Sequence, residues 1–206
     1  MDNLRILSIG AHPDDIEYGC AGTIKKLSKD NEVFFLVVTK GDKGGDPVLR
    51  KEEQLKSSKI LGVTKTFFGE FQDTNLKVEN ETISYVEKVI EECKPDIVFT
   101  HFGEDTHQDH RALYSIVNSA ARHVKSILYF EGPTTFNFMP LIFTDISKTV
   151  GYKIKSLEAH HSQVHKTNID GTSILDLASA CANFRGTKCK VKCGEGFTSS
   201  RFLLIF

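Results

Sequence analysis

Short apolar runs rich in β-branched residues alternate with segments of helical periodicity along most of this chain, and that alternation limits the folds open to it. Leu4 to Ile9, Val33 to Thr39, Ile97 to Thr100 and Ser126 to Phe130 read as buried strands, with Thr66 to Phe68 a shorter candidate. Tyr18 to Lys29, Val48 to Leu61, Thr82 to Cys93 and His110 to Val124 read as helices between them. Ile83, Val86, Val89 and Ile90 fall on one helix face, and Gly62 is a natural stop. Such a βαβα succession packs as a mostly parallel sheet with helices on both faces, an α/β architecture.

Beyond Glu131 the alternation loosens, because Gly132, Pro133 and Pro140 interrupt a Phe-rich stretch. A strand is expected over Leu141 to Ile146, helices over Val150 to His160 and Ile174 to Phe184, and a closing apolar run over Phe202 to Phe206. No repeat, low-complexity tract or linker divides the chain. One domain over 1–206 is therefore expected, with its last third, about 131–206, elaborating a substrate pocket.

With 206 residues, the chain is long enough for one such domain with a full core. Its 26 basic residues against 27 acidic ones leave no positive footprint, which argues against nucleic acid as a partner. No window is apolar for long enough to span a membrane, and Met1 to Arg5 lacks the features of a secretory signal, so a cytoplasmic protein is expected. The five cysteines, an odd number, are expected as reduced thiols, Cys189 and Cys193 included. The basic residues Arg185, Lys188, Lys190, Lys192 and Arg201 read as a solvated face.

Two strand-to-helix turns carry the chemistry. The first strand runs into His12-Pro13-Asp14-Asp15, and the strand ending at Thr100 is followed by Asp105-Thr106-His107-Gln108-Asp109-His110. In an open α/β sheet such turns lie at the carboxyl ends of strands, where ligands bind. Charged groups there need partners, because burying them alone is costly. His12 and Asp15 stand three apart, as do His107 and His110, so each turn can aim two side chains at one point. Imidazole and carboxylate together suit zinc or a related divalent metal, and a hydrolytic zinc site takes three protein ligands. An acid and a histidine then remain. Asp14 can act as the base; His107 can act as the donor, with Asp109 holding its ring.

Ala11 to Glu17 with Gly19 and Gly22, followed by Asp105-x-His107-x-Asp109-His110-Arg111, resembles the PIG-L/LmbE-like family of zinc-dependent N-deacetylases. Supporting similarities are Arg50 to Glu53 leading to Leu61-Gly62-Val63, Lys153 through Leu157 to His160-x-Ser162-Gln163, and Glu195-Gly196-Phe197. The resemblance implies a Rossmann-like fold and a zinc-dependent amidohydrolase acting on an N-acetylated amino sugar or its conjugate. It implies His12, Asp15 and His110 as metal ligands and Asp14 as general base. His107 would act on the oxyanion or leaving group beside Asp109, and Arg50 would contact substrate. His160 is assigned to the substrate pocket, with core packing as the alternative, and Gly41 to Asp46 to a lid. Gln108 stands where the family often has proline, and the family's variable pocket leaves the sugar open. Relatives are often oligomeric, so a homo-oligomer is an expectation of the same kind.

Two other functions compete with deacetylation. One is cleavage of a larger amide conjugate. The other is a non-catalytic metal- or nucleotide-binding module. Gly10 to Asp15 displaces the glycine fingerprint that a dinucleotide needs, and a simple metal binder has no use for Asp14 and His107.

Overall fold

The computed structural model describes residues 3–203. The elements follow in the order β1 (Arg5–Gly10), α1 (Asp15–Leu27), β2 (Glu32–Thr39), α2 (Pro47–Leu61), β3 (Lys65–Phe71), α3 (Asn80–Cys93), β4 (Ile97–His101) and α4 (Gln108–Ala120). Then come β5 (Ser126–Phe130), β6 (Ile142–Asp145), α5 (Val150–Glu158), α6 (Ile174–Cys189) and β7 (Gly194–Arg201). The strands form one sheet in the order β3-β2-β1-β4-β5-β7-β6. The first five are parallel, while β7 runs antiparallel to both β5 and β6. This is the expected α/β fold, and β1 and β4 flank the point where the winding direction reverses.

Alternation along the strands builds two cores. Leu7, Ile9, Phe34 and Leu36 point to one face, where Val86 and Val89 of α3 and Leu113, Ile116 and Val117 of α4 cover them. Ile6, Val33 and Phe35 point to the other and meet Ile16, Cys20 and Ile24 of α1 and Leu61 of α2. Gly19 lets α1 lie directly on the sheet, since a Cβ there would overlap the Phe130 ring. No helix among the described residues is long and apolar enough to cross a membrane.

A buried ion pair ties the C-terminal third to α1. Lys153 of α5 and Glu195 of β7 are 3% and 4% exposed, with Nζ 2.7 Å from Oε1. The Glu195 carboxylate accepts from Gly22 N (3.0 Å) and Thr23 N (2.7 Å), both inside α1, and Lys153 Nζ donates to Tyr18 O.

Several boundaries differ from expectation. β3 extends to Phe71 and α6 to Cys189, while α4 stops at Ala120. The final strand is Gly194–Arg201 rather than the apolar run after it, of which residues 204–206 lie outside the described part. Its sequence, GEGFTSSR, has little strand propensity; pairing with β5 and β6 overrides it. The cysteines are all free. In the basic C-terminal region, Arg185 is bonded to Glu131, and Arg201 donates to the carbonyls of Val124 and Ala121.

Candidate metal centre and active site

The turns after β1 and β4 meet at the switch point of the sheet, so residues about ninety apart in sequence come together. Asp14 occupies the N-cap position of α1 with φ 100°, a conformation that a residue with a side chain adopts only under constraint. Its carboxylate makes no capping hydrogen bond. It lines a cavity of about 880 Å³ together with His12, Asp15, His107, His110 and Arg50.

His12 and His110 are each held between carboxylates. His12 Nε2 lies 2.9 Å from Asp73 Oδ1 and 3.1 Å from Asp109 Oδ2, and its Nδ1 lies 3.3 Å from Asp15 Oδ2. His110 Nδ1 lies 3.2 Å from Asp105 Oδ2, and its Nε2 lies 3.4 Å from Asp15 Oδ1. Each ring thus presents one nitrogen to Asp15 and has an acid behind the other, the arrangement that orients metal-bound histidines. The acids behind are themselves fixed. Asp109 accepts from Thr74 N (2.7 Å) and Leu76 N (3.2 Å), and Asp105 from His107 N, Thr134 Oγ1 and Thr135 Oγ1.

The electrostatics describe a centre with surplus negative charge. Burial disfavours charge on His12, but hydrogen bonds to Asp109, Asp15 and Asp73 outweigh it and hold the ring well above the usual histidine range. His110 is likewise pushed up to about 9, where Asp15 and Asp105 overcome burial. Asp15 is held well below the carboxylate range, chiefly because the charge of His110 overcomes its burial. Burial raises Asp14 to about 6 against the pull of Arg50, with Asp15 adding to the rise.

The residues fit a divalent cation. Four carboxylates surround two imidazoles, and His110 Nε2 is buried without a hydrogen-bond partner while facing Asp15. Among the described residues, three groups place ligand atoms within 4.8 Å of one another: His12, His107 and His110; Asp15, His101 and His110; and His12, Asp73 and Asp109. The expected ligands His12, Asp15 and His110 are distributed over the first two groups rather than forming one of them. The pairwise approaches to Asp15 are what join them.

The other expected residues fall in different places. His107 is the N-cap of α4, and its Nδ1 accepts from Asp109 N at 3.2 Å. The backbone of Asp109, not its carboxylate, therefore sets the His107 ring; the carboxylate is committed to His12, Thr74 and Leu76. Arg50 is 4% exposed and donates to Gly41 O and Pro13 O, both at 2.7 Å, with Asp14 Oδ2 at 3.5 Å. It clamps the Gly41 loop to the His-Pro-Asp-Asp turn, and Gly41, at φ 64°, has no room for a Cβ beside the guanidinium. His160 does not line the cavity. It is 1% exposed, with Nε2 3.5 Å from Glu17 Oε1 in a network beneath Asp14. There Glu17 accepts from Gln54 and Ser57, and Gln54 accepts from Asp14 N. The Gly41 to Asp46 loop borders the cavity through Lys43 and Gly44.

A model of one enzyme family, described as GlcNAc-PI de-N-acetylase, matches residues 7–121, more than half of the chain and both acid/histidine turns. The chain belongs to this family, PIG-L. An Escherichia coli K12 protein named uncharacterized deacetylase YaiS is 37% identical over 167 residues, covering 76% of this chain and 90% of that one. The diacetylchitobiose deacetylase of Thermococcus kodakarensis is 29% identical over 79% of this chain and 71% of its own length. The crystal structure of N,N'-diacetylchitobiose deacetylase from Pyrococcus horikoshii, in complex with an inhibitor, superposes with a TM-score of 0.86 at 26% identity, covering 96% of this chain and 84% of that one.

Within this PIG-L centre, sequence reasoning missed Asp73 and His101. Both stand at strand ends, Asp73 just after β3 and His101 as the last residue of β4, so the strand-end rule that found the other acids and histidines also applied to them. His101 Nε2 accepts from Ala11 N and lies 3.1 Å from Asp15 Oδ2, and its ring stacks on His110 at 4.0 Å. Burial, reinforced by His110, lowers His101 to about 4, so it stays neutral.

Proposed function

We propose that the protein is a divalent-metal-dependent hydrolase, with zinc as the metal, that removes the acetyl group from the nitrogen of an acetamido sugar or a conjugate of one. The observation that carries this reading is the pair of imidazoles facing the two oxygens of Asp15, each backed by a fixed carboxylate. His12, Asp15 and His110 would hold the ion, which when bound supplies Lewis acidity to an amide carbonyl and to water.

The chain's own residues account for the proton movements. Asp14, ionised above a pKa of about 6 and open to the cavity, takes the proton from water. Because His107 Nδ1 accepts a backbone amide, the proton of the neutral ring sits on Nε2, which makes His107 a donor to the oxyanion or to the departing amine. Arg50 holds the Asp14 turn and can meet substrate where it reaches the cavity wall. His160 supports that turn through Glu17 and Gln54 and does not touch substrate.

The relatives named as diacetylchitobiose deacetylases support an acetamido sugar as the substrate class. Pro133, Thr134 and the stretch from Gln163 to Leu177 line the cavity, which supports reading the C-terminal third as the elaboration of the pocket. The test is elemental analysis of the protein and of His12→Ala, Asp15→Ala and His110→Ala, beside an assay for free amine from N-acetylated sugars. One bound metal per chain, lost in all three variants together with amine release, is expected. Full occupancy in the three variants would sink the ligand assignment.

A further inference from the structure

Asp14 departs from what its place in the helix asks of an aspartate. At the N-cap of α1 the carboxylate ordinarily accepts from the amide of the second or third helical residue, here Ile16 or Glu17. Asp14 makes no such bond; it has φ 100° and lines the cavity instead. A glutamate at the third helical position ordinarily completes the cap by accepting from the N-cap amide. Glu17 stands at that position, yet it accepts from Gln54 Nε2 (2.7 Å) and Ser57 Oγ (2.5 Å). The acceptor for Asp14 N is Gln54 Oε1, at 3.3 Å. Gln54 of α2 is thus interposed in the capping box of α1, donating to one arm and accepting from the other.

The same peptide is held at its other end. Pro13 O and Asp14 N belong to one planar peptide group. Arg50 Nη2 donates to Pro13 O at 2.7 Å, while Gln54 accepts from Asp14 N. Residues 50 and 54 stand one turn apart on α2 and so share a face of it. Both are buried. The Gln54 amide has its Nε2 directed to the Glu17 carboxylate, which leaves Oε1 for Asp14. A flipped Pro13–Asp14 peptide would turn its carbonyl towards Gln54 Oε1 and its N–H towards the guanidinium, a mismatch at each end. The left-handed backbone of Asp14, a conformation that costs a residue with a side chain, is therefore held from α2.

We propose that Gln54 is a positioning residue for Asp14. By taking the N-cap amide and, with Arg50, gripping both ends of the Pro13–Asp14 peptide, it keeps the Asp14 carboxylate off the end of α1 and in the cavity. The proposal rests on the reading of Asp14 as general base and names what holds it there. Without Gln54, Glu17 is free to close the capping box on Asp14 N, and the Asp14 carboxylate to cap Ile16 or Glu17. The group that takes the proton from water is then withdrawn.

Gln54→Met keeps the side-chain length and removes both hydrogen bonds. In the metal-loaded variant, kcat for amine release from N,N'-diacetylchitobiose should fall roughly 10–100-fold, the cost of a displaced base, with KM within about twofold of the parent. Metal content should not change. Its crystal structure should show Asp14 outside the left-handed region, with the carboxylate on Ile16 N or Glu17 N. Gln54→Glu sets two carboxylates against each other and should lose a similar factor. Adding Glu17→Gln to it puts a donor opposite an acceptor again, still with an acceptor for Asp14 N, and should bring kcat back to within about threefold of the parent. A loss due to packing alone gains nothing from that second buried change. Gln54→Met with kcat within about twofold of the parent would overturn the proposal. So would Asp14 still near φ 100° in that variant, or a double variant no faster than Gln54→Glu. Should Gln54→Met fail to fold, the two glutamate variants decide. No amine release by the parent would count against the deacetylase reading alone, because the Asp14 backbone in the variant structures would still decide whether Gln54 holds it.

Discussion

Replacing Lys153 by Met separates what the buried ion pair does for α1 from what it does as a charge pair. Glu195 accepts from Gly22 N and Thr23 N, and Lys153 donates to Tyr18 O. Tyr18 O and Gly22 N are four residues apart, the two groups that an uninterrupted α-helix joins to each other. The ion pair sits beside that rung, with one partner on each of its two groups. Lys153→Met keeps most of the side-chain volume but strands the carboxylate. Removing one partner of a buried pair costs roughly 3–5 kcal/mol, and the two amides still serving Glu195 place the expectation near the lower end, about 3 kcal/mol. For a chain of this size that lowers Tm by roughly 6–12 °C, at about 2–4 °C per kcal/mol. The double variant Lys153→Met/Glu195→Leu removes the stranded carboxylate and leaves Tyr18 O and Gly22 N to each other, and should regain about 1–2 kcal/mol over the single one. Urea denaturation followed by circular dichroism measures both, provided the slopes agree. A double variant as unstable as the sum of the two single changes would refute the argument that the helix can serve these groups without the pair.

Three further outcomes follow from the site and its supports. Asp14→Asn should keep its metal and fold yet lose roughly 10²–10⁴ in rate of amine release, the worth of a positioned proton acceptor; activity within a few-fold of the parent would make Asp14 merely part of the turn. Asp109→Asn should weaken metal affinity about 10–100-fold through His12, as read by competition with a coloured chelator, and an unchanged affinity would detach Asp109 from the centre. Gly19→Ala drives a methyl group into the Phe130 ring and should cost roughly 1–3 kcal/mol by calorimetry; a neutral result would mean that α1 can lift from the sheet without loss.

The parallel half of the sheet was legible because its strands and helices repeat two distinct apolar periods, and the two acid/histidine turns because polar groups interrupt those periods at strand ends. What sequence could not supply was pairing in space. Asp109 follows His107 by two residues, which suggested a carboxylate supporting that ring, but at the start of α4 the backbone amide takes the role and the side chain turns to His12. Asp73 lay hidden because the strand before it was read as ending at Phe68, whereas β3 runs on to Phe71 and brings the acid to a strand end; the neighbouring turn after β1 then gives its carboxylate an imidazole. His160 looked like a pocket residue from its place among His160, Ser162 and Gln163, whereas α5 carries it beneath the turn it was expected to face. β7 was missed for the opposite reason, since its residues have little tendency to extend and do so only between two partners.

The switch-point arrangement also bears on inheritance. The groups at the reacting centre come from the ends of β1, β3 and β4, whereas much of the enclosing wall comes from the later segment running from Gln163 to Leu177. Changes in that wall alter what the cavity admits while the strand-end turns keep their geometry. Two descendants of one ancestral chain can therefore diverge in diet while sharing one chemistry, and their likeness concentrates in the first half of the sequence, where residues 7–121 match the family.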